Sequence, residues 1–130
     1  MTPEQGATLR YFAWREWKQP DLVNYQAAIW LDSIRGLYGK PLVLTSDART
    51  PAENEAASGS SPTSLHLLGR AFDLRLPSTP EDLWAFVIAV YRCSQWRAVE
   101  VELVSGPNDK HVHIGLYPTD RPSRLELALT

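Results

Sequence analysis

Three histidines and one cysteine are the scarce chemistry-bearing residues of this 130-residue chain. The histidines sit in or beside two patterned segments, SLHLLGRAFD (64–73) and HVHIGLY (111–117). Zinc takes nitrogen, sulfur or carboxylate ligands, and a catalytic zinc uses three of them and keeps a fourth position open. With a single cysteine, those three must come from His and Asp or Glu.

The spacing within the first segment fits neither a helix nor a strand alone. Gly69 can take a positive φ and turn the chain from a loop into a strand. His66 then projects from the loop, and Asp73 from the strand face that carries Ala71, which is small enough to leave room beside an ion. In the second segment His111 and His113 are two residues apart, so both leave one face of a strand, while Val112, Ile114 and Leu116 leave the other. If the two strands are neighbours, His66, Asp73 and one of the two later histidines complete a three-ligand site. Taken singly, each residue has an ordinary surface explanation; their ordered conjunction favours the metal.

The flanking pattern supplies the scaffold. Aromatic residues fill the short segment LRYFAWREWKQP (9–20), which Pro20 stops. A helix is expected from Asp21, as N-cap, with Val23, Ala27, Trp30, Ile34 and Leu37 on one face and Gly39 and Pro41 ending it. PLVLTS (41–46) reads as a short strand, a brief helix opens after Pro51, and residues 58–64 are a flexible loop by composition. RAFDLRL (70–76) alternates, with Phe72, Leu74 and Leu76 opposite Ala71, Asp73 and Arg75. Thr79, Pro80, Glu81 and Asp82 start a helix that is expected to run to about Tyr91. AVEVELV (98–104) and HVHIGLY then form a hairpin centred near Pro107 and Asn108. The class is α+β: one small domain over residues 1–130, an antiparallel sheet with a C-terminal hairpin packed against helices.

SLHLLGRAFD matches S-x-H-x-x-G-x-A-x-D, the signature of the zinc D-Ala-D-Ala carboxypeptidase and L-Ala-D-Glu endopeptidase family, which shares its fold with the hedgehog signalling domain. TSDARTP (45–51) resembles that family's S-x-x-R-T-P segment, HVHIGL its final H-x-H strand, and YFAWREW its aromatic opening. The resemblance runs in order from Tyr11 to Leu116. It implies a peptidoglycan peptidase, zinc ligands His66, Asp73 and His113, and a substrate-facing Arg49, whose guanidinium suits a carboxylate or an oxyanion. Ser64 would line the pocket or cap the loop.

One position departs from the family pattern. Three residues before the last ligand, where an acid usually serves as general base, stands Lys110, with Asp109 one residue earlier. In a regular strand that slip reverses the side chain, so Asp109 serves only if the turn is irregular. His111 shares the face of His113 and is a second candidate. Glu102, alternating with Glu100 and lying opposite His113, is a third, as base or as partner of the ligand imidazole; an exposed strand face is the plain alternative for both glutamates.

Composition narrows the remaining classes. At 44% hydrophobic and 22% charged, with a net charge of −2 and no basic run, the chain offers no electrostatic reason to bind nucleic acid. Cys93, in an apolar helical setting, reads as packing. No basic-then-apolar opening marks a signal peptide, and no run approaches the roughly 20 apolar residues of a membrane span. The expectation is therefore a monomer made in the cytoplasm that reaches peptidoglycan stem peptides by another route, as a phage or prophage lysis enzyme or a module of a phage particle. The competing expectations are a non-catalytic zinc domain of the same fold, which Lys110 favours, and a metal-free interaction domain.

Overall fold

The computed structural model describes all residues except 58–59, 96 and 128–130. Its helices are α1 (Pro3–Gly6), α2 (Tyr25–Tyr38), α3 (Pro51–Ala56) and α4 (Pro80–Ser94), and its strands are β1 (Leu44–Ser46), β2 (Ala71–Arg75), β3 (Val99–Ser105), β4 (Lys110–Leu116) and β5 (Arg124–Glu126). Short 3₁₀ turns occupy Trp14–Glu16, Pro20–Leu22 and Leu65–Leu68. The strands form one sheet in the order β1-β2-β4-β3-β5. All pairings are antiparallel except β3 with β5, so the sheet is mixed.

Alternation divides this sheet into two chemically different faces. Phe72 and Leu74 of β2, Val112 and Ile114 of β4, and Val99 and Val101 of β3 share one buried cluster with Ala27, Leu31 and Ile34 of α2 and Phe86 and Val90 of α4. Phe72 and Phe86 are fully buried. Removing either ring would cost about 3–5 kcal/mol through lost transfer energy and the cavity left behind. The other face carries Asp73, His113, Glu100 and Glu102, and it is this face that holds the chemistry.

Two aspartates stitch the aromatic opening onto the core. The Asp32 carboxylate accepts from the backbone N–H groups of Arg10, Tyr11 and Phe12 at 2.8–2.9 Å. Asp47, 1% exposed, accepts from Lys18 and Gln19 N–H at 2.7 and 3.0 Å. Burial raises the Asp47 pKa, although these backbone bonds pull it back. Phe12 and Trp17 are thereby held in the core with ring centroids 5.1 Å apart.

Several boundaries differ from the sequence expectation. Pro20–Leu22 makes a 3₁₀ turn, and α2 is capped by Asn24, whose side chain accepts from Ala27 N–H, rather than by Asp21. Asn24 owns the cap because Arg70 and Gly69 fasten it there: Arg70 Nη1 donates to its side chain at 3.1 Å, and its N–H donates to Gly69 O at 2.9 Å. Leu37, expected on the core face, is half exposed, whereas Val23, Ala27, Trp30 and Ile34 are buried. Helix α4 continues past Tyr91 to Ser94, where Gln95 takes a left-handed conformation. The hairpin is not the last element, since β5 follows it and pairs with β3. Residues 58 and 59 of the expected loop lie outside the described residues.

Candidate active site

Gly69 sits at φ 65°, as the loop-to-strand turn requires. A Cβ there would lie 2.0 Å from Leu22 O, so both conformation and space demand glycine. The residues before it form the 3₁₀ turn Leu65–Leu68, and Ser64 caps that turn by accepting from His66 N–H at 3.2 Å. Ser64 therefore does the capping job and also lines the cleft. Ala71 is fully buried in a small cluster with Leu65, Ala98 and Tyr117.

Strand register completes the arrangement. Asp73 of β2 lies opposite His113 of β4, and His113 lies opposite Glu102 of β3. One ligand atom from each of His66, Asp73 and His113 falls within 4.8 Å of the others. His66 is 2% exposed; its Nδ1 contacts the carbonyl oxygen of Asp47. A carbonyl can only accept, so Nδ1 donates to it, and Nε2 is the ring nitrogen turned toward Asp73 Oδ1, 3.3 Å away. His113 is oriented oppositely, with Nδ1 at 2.9 Å from Asp73 Oδ1 and Nε2 donating to Glu100 Oε1 at 2.7 Å.

Electrostatics follow from that burial. For Asp73, desolvation alone would raise the pKa, but hydrogen bonds from His113 and His66 outweigh it and hold the carboxyl far below its ordinary range. For His113, burial would lower the pKa, but hydrogen bonds to Asp73 and Glu100 lift it to about 9. Glu100 is likewise opposed by burial yet drawn down to about 2 by His113 and Tyr117. Without an ion, His113 is thus a cation clasped by two carboxylates.

The candidate ligands, proton carriers and substrate-facing residues of the sequence all line one cleft of about 750 Å³: Arg49, Ser64, His66, Asp73, Glu102, Asp109, His111 and His113. Asp109 stands outside β4, at the foot of the turn where Gly106 N–H donates to Asp109 O, so the alternation rule does not turn it away. Its Oδ1 lies 2.8 Å from His111 Nδ1, which leaves His111 Nε2 directed inward, 3.8 Å from Asp73 Oδ1. Arg49 reaches Asp73 Oδ2 at 3.3 Å, and its backbone N–H donates to His66 O. Glu102 points toward Arg124 at 3.6 Å, and the carboxylate that touches His113 belongs to Glu100.

Sequence reasoning did not find Asp47 or Tyr117 and chose the wrong glutamate for the imidazole. Glu100 pairs across the ladder with Gly115, one step along from His113. A Cβ on Gly115 would meet Glu100 Cγ and Oε1 at 3.0 Å and Leu65 Cδ1 at 2.7 Å. The missing side chain lets Glu100 lean diagonally beneath the histidine, and Gly115 in HVHIGL was the signal that marks it. Tyr117 O–H donates to Glu100 Oε2 at 2.7 Å, and Arg124 donates to the same oxygen at 3.2 Å.

A mixed sheet with helices on its apolar face, and a His-Asp-His group in a cleft on the polar one, is the architecture of a hedgehog/DD-peptidase-like domain. The family model for Peptidase M15 matches residues 7–115, and the chain belongs to that family. Its fold is similar to that of the L-Ala D-Glu endopeptidase ChiX of Serratia marcescens, with a TM-score of 0.61, 17% identity, and coverage of 85% of this chain and 92% of that one. No curated protein sequence matches the chain.

Proposed function

We propose that this chain is a zinc-dependent peptidase that hydrolyses peptide bonds in peptidoglycan stem peptides, of D-Ala-D-Ala carboxypeptidase or L-Ala-D-Glu endopeptidase type. Membership of Peptidase M15 and the fold shared with an L-Ala D-Glu endopeptidase support the reaction class. The observation that carries the zinc is the convergence of His66, Asp73 and His113. Two nitrogens and one carboxylate are a catalytic zinc donor set. The 3.3 Å from His66 Nε2 to Asp73 Oδ1 is close to the edge of a tetrahedron with bonds of about 2.0–2.1 Å. Each imidazole also has an acceptor behind it, the Asp47 carbonyl or the Glu100 carboxylate, as metal-bound histidines require.

A zinc ion held by these three residues would acidify water and polarise the scissile carbonyl. The remaining work falls to the chain. His111, oriented by Asp109, takes the proton from the attacking water at Nε2 and returns it to the departing amine. Arg49, with its side chain 20% exposed, can turn from Asp73 toward a substrate carboxylate or the developing oxyanion. Glu100 keeps His113 facing the ion, and Tyr117 and Arg124 keep Glu100 in place. Glu102, half exposed beside Arg124, is the reserve proton acceptor.

The cell wall as substrate implies action outside the cytoplasm, and we propose delivery after lysis or as part of a phage particle. No helix among the described residues is long and apolar enough to cross a membrane.

Purified protein loaded with zinc should shorten isolated stem peptides, read by mass spectrometry, and His66→Ala or a chelator should abolish cleavage. Cleavage untouched by both treatments would refute the metal mechanism. Stoichiometric zinc with peptide binding and no cleavage would identify a non-catalytic domain of the same fold, the reading that Lys110 in place of an acid favours.

A further inference from the structure

The sheet order separates two cations of the cleft. Arg49 follows β1 at one edge, Arg121 precedes β5 at the other, and Asp73 and His113 lie on β2 and β4 between them. Arg49 already reaches Asp73, and Arg124 is held by Glu100, Glu102 and Glu126. Arg121 differs from both. Its guanidinium carbon lies 4.1 Å from the centroid of the Tyr117 ring, and no acidic side chain among the described residues pairs with it.

That seat has a chemical consequence. Tyr117 is 7% exposed and its hydroxyl is tied to Glu100, so the ring is a fixed platform. A guanidinium stacked on it loses little further freedom on binding and keeps its N–H edge open to a carboxylate in bidentate geometry.

We propose that Arg121 is a second carboxylate-docking residue, placed across the His66–Asp73–His113 group from Arg49. The preferred substrate is then a peptide with two free carboxylates, one for each arginine. The proposal rests on the peptidase reading above and narrows its substrate class to doubly acidic peptides.

The test uses the zinc-loaded full chain and three synthetic peptides. One is L-Ala-γ-D-Glu-L-Lys-D-Ala-D-Ala with its carboxylates free; the others carry a carboxamide in place of the D-Glu α-carboxylate or of the C-terminal carboxylate. Hydrogen bonds to a charged partner contribute about 1.5–3 kcal/mol, roughly 10- to 150-fold. Arg121→Gln should raise KM for the free acid by that factor and leave kcat nearly unchanged. It should have no effect on one of the two amidated peptides, the one already lacking the carboxylate Arg121 reads, and Arg121→Lys should recover part of the loss. Equal losses on all three peptides, or no loss on any, would overturn the proposal. If the wild type cuts none of them, the peptidase reading fails separately. Calorimetric affinities of the same peptides then decide: a preference for the acid that Arg121→Gln abolishes supports the docking role, and any other pattern refutes it.

Discussion

Glu100 Oε1 stands 2.7 Å from His113 Nε2, although the two residues are not opposite each other in the β3–β4 ladder. The contact is diagonal and depends on Gly115 having no side chain. It gives His113 a fixed orientation, with Nδ1 turned to Asp73. Replacing Glu100 with Gln keeps an acceptor but removes the charge that makes the imidazole a stronger donor to a metal. Zinc affinity should fall about 10- to 100-fold, the usual effect of losing such a partner. Competition with a chromophoric chelator measures it, and an unchanged affinity would remove Glu100 from the site.

Asp109 and His111 form a pair 2.8 Å apart at the cleft mouth, and they should contribute unequally to rate. His111→Ala removes the proton carrier, so kcat should fall about 10²- to 10⁴-fold, the range for general acid–base groups. Asp109→Asn leaves the imidazole but weakens its orientation, so its loss should be smaller. Zinc content should be unchanged in both variants, because neither side chain belongs to the His66–Asp73–His113 group. If Asp109→Asn costs more than His111→Ala, the carboxylate itself handles the proton.

Much of this site was legible because its logic is local. The spacing from His66 through Gly69 to Asp73 encodes a turn into a strand, and the alternation in HVHIGL puts two histidines on one face. What stayed hidden depends on contacts between distant segments. Asp47 lies 19 residues from His66, and its role uses a backbone carbonyl, which every residue has and no side-chain pattern announces. Glu100 lost to Glu102 in the sequence reading because directly opposed pairing was assumed, whereas the diagonal depends on a glycine in the partner strand. The start of α2 at Asn24 is set by Arg70 and Gly69, 46 and 45 positions away, and so Asp21 looked the better cap.

The Glu100–His113 pair also gives the zinc-free protein a defined pH profile. His113 is raised from 6.5 to about 9 in the folded state, so its contribution is complete below pH ~6.5 and is lost as pH rises through 9. Glu100 is lowered from 4.5 to about 2, so its contribution is complete above pH ~4.5 and is lost as pH falls through 2. Unfolding free energies of chelator-treated protein, from urea titrations, should therefore be highest between about pH 4.5 and 6.5 and fall on both sides, by on the order of 2–3 kcal/mol toward pH 9. Zinc held by His66, Asp73 and His113 would displace the His113 proton, so the alkaline fall attributed to this residue should vanish in the loaded protein. A flat profile in the zinc-free state from pH 6 to 9 would contradict the charged pair.

The two left-handed glycines separate backbone strain from lack of space. Gly39, at φ 74°, ends α2, and a Cβ there would meet nothing within 4 Å. Gly39→Ala should cost only the left-handed penalty of roughly 1–2 kcal/mol. Gly69, at φ 65°, carries the same penalty, but its added Cβ would lie 2.0 Å from Leu22 O and 2.8 Å from Asn24 N. Relieving that overlap must displace the bond from Asn24 N–H to Gly69 O, and with it the α2 cap and the 3₁₀ turn that carries His66. Gly69→Ala should therefore destabilise the zinc-free protein by about 3 kcal/mol or more, in the range of strained and overpacked substitutions. It should also weaken zinc binding, whereas Gly39→Ala should leave zinc binding unchanged. Urea denaturation of both variants, with and without zinc, reads the two effects; equal costs for the pair would mean that the contact with Leu22 does not hold the turn.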